Sequence, residues 1–181
     1  MKKYLIIILT LLFLTSCKTS TIDYTLEEVK RGEFVVHEDG SITSGQAVWD
    51  SFVEQTEQKK RCSVRLAFCY TLGNPERYDP EYYEEIKNDY PVLYVQDLKF
   101  DGKEYKLTWT EEDKDYSFTY KYMVKYTGEP SSTSAIFSSY TYYVLVNDDT
   151  VTWEQIEHGM FSSRFGDWID HKTVYREMIY K

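Results

Sequence analysis

Residues 116–127 alternate without interruption. Tyr116, Phe118, Tyr120, Tyr122, Val124 and Tyr126 fall on one parity, and Ser117, Thr119, Lys121, Met123, Lys125 and Thr127 on the other. Successive side chains of a strand point to opposite faces, so this run predicts one strand with a buried face and a wetted face. The same chemistry recurs along the chain, which holds 18 Tyr, 9 Phe and 4 Trp. Tyrosine suits half-buried sheet surfaces because its ring is apolar and its hydroxyl is wet. The pattern is that of an aromatic-rich antiparallel sheet, and it leaves open an aromatic binding face. With 181 residues, 42% of them hydrophobic, the chain fits one domain with a short appendage.

The segments before that strand read as helices, then a meander. Thr25 and Glu28 form a capping-box pattern, predicting a short helix that stops at Gly32. Residues 33–37 read as a strand and Asp39-Gly40 as a turn. Ser44 is placed to cap a second helix reaching about Lys59. Along it Val48, Trp49, Phe52, Val53 and Thr56 recur at helical spacing, with Trp49 and Phe52 as core anchors. Residues 63–70 predict a strand. Asp79-Pro80 predicts the start of a short helix that ends before Pro91. Strands at 91–100 and 103–110 flank Asp101-Gly102, a hairpin signal. Another strand is expected at 137–146, then a helix capped by Thr152. Residues 173–180 are either a strand or a helix. The expected class is α+β, an antiparallel aromatic-rich meander with two or three short helices packed mainly on one face.

The N-terminus has a different character. Lys2 and Lys3 precede an apolar run at 4–14, broken only by Thr10. As a helix it would span roughly 16 Å, too short for a ~30 Å hydrocarbon core. A charged start, a short apolar middle and a small-residue end make a secretory signal. Leu14-Thr15-Ser16-Cys17 resembles the lipobox of bacterial lipoprotein precursors. That resemblance implies cleavage before Cys17 and a diacylglyceryl group on its thiol. Residues 1–16 are then the signal peptide, 17–24 a lipidated N-terminus and tether, and 25–181 the globular α+β domain. The expected location is the extracytoplasmic face of the cell membrane. Two or more acyl chains hold a protein stably at about 0.8 kcal/mol per buried CH₂.

A second resemblance spans residues 25–110. The run from Thr25 to Gly32, Val35-Val36, the amphipathic helix, Ser63-Val64-Arg65-Leu66, the stretch from Tyr70 to Pro75, and the hairpin around Asp101-Gly102 resemble a domain-of-unknown-function family of small lipoproteins from Gram-positive bacteria. The resemblance implies a surface lipoprotein without an established activity.

Charge narrows the partners. The formal net charge is −9, and residues 1–16 hold two lysines and no acid, so the remainder carries 19 basic against 30 acidic side chains. That argues against nucleic acid and anionic lipid headgroups as partners. Expected partners are the membrane, through lipid on Cys17, and an envelope protein, peptide or glycan.

Little points to catalysis. His37, His158 and His171 lie far apart, and only Glu154 and His158 share a helical i,i+4 spacing, so no metal and no cofactor is expected. Cys62 and Cys69 are seven apart and would point to opposite faces of one strand, predicting two free thiols. Lys121, Lys125 and Arg65 are the candidate binding residues, a cationic grip for an acidic ligand. The expected function is a noncatalytic, lipid-anchored binding or interaction module; the alternative is an envelope hydrolase or hydrolase accessory using an acid/histidine site.

Overall fold

The computed structural model describes residues 24–130, 132 and 134–181; the segment expected to be a signal peptide, residues 1–16, and Cys17 lie outside them. The architecture is α+β, with aromatic-rich antiparallel meanders and short helices.

Helix α1 (Leu26–Arg31) carries the expected capping box. Thr25 N–H donates to Glu28 Oε2 at 2.8 Å, and Glu28 N–H donates back to Thr25 Oγ1. Strands β1 (Phe34–Glu38) and β2 (Ser41–Ser44) form a hairpin around Asp39-Gly40. Ser44 therefore belongs to a strand and caps nothing. Helix α2 (Gln46–Glu57) starts instead after Gly45, whose φ of 85° turns the chain without any side-chain cap. Strand β3 (Cys62–Tyr70) then pairs parallel to β1, with α2 as the crossover between them. Asp79 caps α3 (Pro80–Ile86) by accepting from the Glu81 and Tyr82 N–H groups.

Strands β4 (Val92–Phe100), β5 (Tyr105–Glu111) and β6 (Lys114–Tyr120) complete a six-stranded sheet A in the order β2-β1-β3-β4-β5-β6. The β4–β5 turn is longer than the Asp101-Gly102 signal suggests. The loop is 101–104, and Phe100 pairs with Tyr105 and Lys99 with Lys106. Asp101 Oδ1 holds it by accepting from the N–H groups of Lys103 and Glu104 at 2.8 and 2.9 Å. A two-residue turn would set Lys103 opposite buried Phe100; the longer loop stacks Tyr105 there, with ring centroids 4.6 Å apart.

The predicted strand at 116–127 is two strands. It bends at Lys121, whose N–H donates to Asn147 Oδ1, and continues as β7 (Tyr122–Gly128) in a second sheet. Sheet B has the order β7-β8-β9, with β8 at Phe137–Val146 and β9 at His171–Tyr180; the ambiguous C-terminal segment is thus a strand. The alternation survives the bend, but its faces change neighbours. Phe118 and Tyr120 pack with α2 and the inner face of sheet A, whereas Val124 and Tyr126 pack against α4 (Trp153–Phe161) on the outer face of sheet B. One aromatic face thus serves two cores.

The main core lies between the sheets and around α2, where Trp49 and Phe52 are buried as expected. Trp49 stacks on Tyr175 at 4.8 Å and meets the Tyr143 ring edge-on at 5.1 Å. A smaller core of Val29, Phe34, Val36 and Ala67 sits beneath α1 on the outer face of sheet A.

Candidate functional site

The three cations singled out in the sequence do not converge. Arg65 lies on the outer face of sheet A, its guanidinium 4.0 Å from the Phe34 ring centroid and within 3.5 Å of the Tyr24 hydroxyl. It clamps the start of the domain. Lys121 occupies the bend between the sheets, exposed. Lys125 is on β7, with its ammonium 5.7 Å from the Tyr143 ring centroid. They occupy three different surfaces.

The cysteines answer the nucleophile question by strand parity. Cys62 shares the inner face with Val64 and Leu66; Cys69 shares the outer face with Ala67 and pairs with Glu38. Both thiols are free, as the odd spacing predicts, and burial pushes both above the ordinary thiol value, which disfavours the thiolate. His37 follows Val35 on the inner face, so it is across the sheet from Cys69 and the two form no dyad.

His37 is the buried polar group of the core. Its ring stacks on Phe68 at 5.0 Å, and its Nε2 accepts the Arg176 N–H from the free edge of β9. That acceptor role places the neutral ring's proton on Nδ1, which has no hydrogen-bond partner among the described residues. The ring borders a cavity of about 80 Å³ shared with Phe68, Tyr70, Thr173, Tyr175 and Arg176. The cavity opens beside a bulge in β9, where the register slips between Tyr143 and Val144.

Burial, reinforced by the Arg176 charge, lowers the His37 pKa from 6.5 to about 4. The unfolded chain therefore binds the extra proton first as the pH falls. Stability from this group is complete above pH 6.5 and declines as the pH drops toward 4, by about 3 kcal/mol in total. Comparing urea unfolding of the wild type and His37→Gln between these pH values isolates the effect; parallel curves for the two proteins would contradict it.

His158 and Glu154 line an open recess on α4 with Asp167. The Asp167 carboxylate is already taken by the Ser162 hydroxyl. His171 Nδ1 is 2.7 Å from the Ile169 carbonyl, and its ring leans on Trp168. Among the described residues no group of three His, Cys, Asp or Glu side chains is placed to hold a metal ion.

The most unusual surface follows α4. Phe165 is 96% exposed, Phe161 84% and Trp168 53%, with Met160 beside them. Exposed aromatics are ordinarily scattered singly, and here three fall within eight residues. The loop is nonetheless fixed. Ser162 Oγ donates to Asp167 and accepts the Arg164 N–H at 3.1 Å, while the Asp167 and Trp168 N–H groups close on the Arg164 and Phe165 carbonyls. Gly159 lets this loop press on the helix, since a Cβ there would lie 2.4 Å from the Asp167 carbonyl oxygen. Sequence reasoning missed this site because Phe161, Phe165 and Trp168 stand at i, i+4 and i+7, the spacing of a buried helical stripe, whereas the helix ends at Phe161 and the rings face solvent. The signal on offer was Gly159 inside a helix, followed by three large aromatics between small polar residues.

No protein-family model, curated protein or solved structure matches the chain. Among the described residues no helix is long and apolar enough to cross a membrane.

Proposed function

We propose that the protein is a lipid-anchored, extracytoplasmic lipoprotein acting as a noncatalytic binding module for an envelope protein, peptide or glycan. The signal-like N-terminus and Leu14-Thr15-Ser16-Cys17 support the anchor. The observation that carries the binding role is the end of α4 and the pinned loop after it, which present Phe161, Phe165 and Trp168 to solvent. Hydrogen bonds hold its backbone before any partner arrives, which lowers the ordering cost of association. Large, stiff aromatic rings are the side chains that dominate binding energy at interfaces. The desolvated thiols and the cross-sheet separation of His37 from Cys69 weigh against nucleophilic chemistry at those residues.

Two measurements test the two halves. Cys17→Ala is expected to abolish fatty-acid labelling and leave the precursor unprocessed; labelling that persists would end the anchor reading. Phe161→Ser with Phe165→Ser is expected to lose the partner captured by the wild-type chain from an envelope extract, at an unchanged unfolding midpoint. Undiminished capture of the same partner would remove the loop from the reading. Each lost aromatic anchor is expected to weaken binding by about 2 kcal/mol.

A further inference from the structure

The outer face of sheet A carries a second feature, independent of the aromatic loop. Ser63 pairs with Lys99, Lys99 with Lys106, and Lys106 with Thr119, so four side chains form one row across four strands. Lys99 and Lys106 are direct cross-strand partners, a position in which like charges repel. The chain has more acidic than basic side chains, yet neither lysine is ion-paired among the described residues, whose salt bridges are Lys30–Glu38 and Lys87–Glu84. The row floors an open recess of about 570 Å³. Arg61 borders it, with Nε donating to the Asp101 carbonyl at 3.1 Å and its terminal nitrogens unpartnered among the described residues.

We propose that this recess is a binding site for a phosphate group, held by Lys99, Lys106 and Arg61 with the hydroxyls of Ser63 and Thr119. The anion removes the repulsion that the β4–β5 register builds into the sheet. The oxygens of a tetrahedral phosphate point to several sides, so that ammoniums, a guanidinium fork and flanking hydroxyls can approach it together; those of a carboxylate lie in one plane. Two acids lie on the rim. The Asp101 carboxylate is committed to the backbone of its own turn, whereas Glu104 has no side-chain partner among the described residues and opposes the anion.

The phosphate has two possible sources, a soluble phosphate compound or a lipid headgroup. Tyr24 packs against Phe34 on this same face, beside Arg65, about 7 Å along β3 from the Ser63 row. The seven residues from Lys18 to Tyr24 span at most about 25 Å. A lipid on Cys17 therefore keeps the row within reach of headgroups, and only this source rests on the anchor proposed above.

Amine-reactive footprinting of the full chain, reconstituted in vesicles and read by mass spectrometry, tests the site. Inorganic phosphate added to phosphatidylcholine vesicles is one probe, and phosphatidylglycerol vesicles without phosphate are the other. Protection of Lys99 and Lys106 relative to Lys114 by inorganic phosphate supports a soluble ligand. Protection by phosphatidylglycerol alone supports the headgroup. Protection by neither overturns the proposal. Glu104→Gln is expected to tighten binding, and Arg61→Gln to weaken it by at least about tenfold. Binding unchanged in both variants also overturns the site. A failure of Cys17 lipidation leaves the inorganic-phosphate arm intact, so the two readings fail separately.

Discussion

Trp49→Ala is expected to destabilise the protein by about 3–5 kcal/mol, read as a lowered urea midpoint at unchanged slope. Trp49 is buried at the meeting point of α2 and both sheets, in contact with Phe52, Tyr143 and Tyr175. Removing the indole deletes apolar burial and leaves a hole that three aromatic rings, each held by its own strand or helix, cannot close. The Trp49 Nε1–H has no hydrogen-bond partner among the described residues. Trp49→Phe should therefore cost much less, under about 2 kcal/mol, because it keeps a ring and discards an unpaired donor. Equal losses for the two variants would show that packing is not what Trp49 contributes.

Gly45→Ala should be at least as damaging, at about 4 kcal/mol or more. The residue has a φ of 85°, where a Cβ is strained, and that atom would lie 2.0 Å from the Phe34 carbonyl oxygen. The clash is with the backbone of β1, so no side-chain rotation relieves it; α2 must lift from the sheet or β1 must shift. Since α2 carries Trp49 and Phe52, either movement opens the main core. A loss below about 1 kcal/mol would mean that the β2–α2 junction relaxes freely, contrary to its close packing.

The two variants show different degrees of legibility. Trp49 and Phe52 announce themselves by helical spacing. Gly45 does not: it follows Ser44, an ordinary cap residue, and only the pairing of Ser44 with Val36 shows that the hairpin runs up to the helix. The candidate sites were harder still. Lys121, Lys125 and Arg65 share chemistry in the sequence but occupy separate surfaces. Lys99 and Lys106 meet because the loop at 101–104 is two residues longer than Asp101-Gly102 suggests; the shorter turn would have set Lys99 against Glu104. Phe161, Phe165 and Trp168 stand at helical spacing, which does not tell that the helix stops at Phe161 and leaves them exposed.

Local chemistry determined what the sequence could state alone. The capping box at Thr25, the helix cap at Thr152, the Asp79-Pro80 helix start, the strand at 137–146 and the opposite faces of Cys62 and Cys69 all follow from groups within a few residues of one another. Tertiary structure decided the parallel pairing of β1 with β3, the bend at Lys121 that hands one aromatic face to two cores, and the burial of His37 against β9. Each of these depends on partners far apart along the chain, as when Tyr175 donates to Gln46 at 2.8 Å. Periodicity fixes which side chains share a face, but the layer that covers that face is chosen by packing between distant segments.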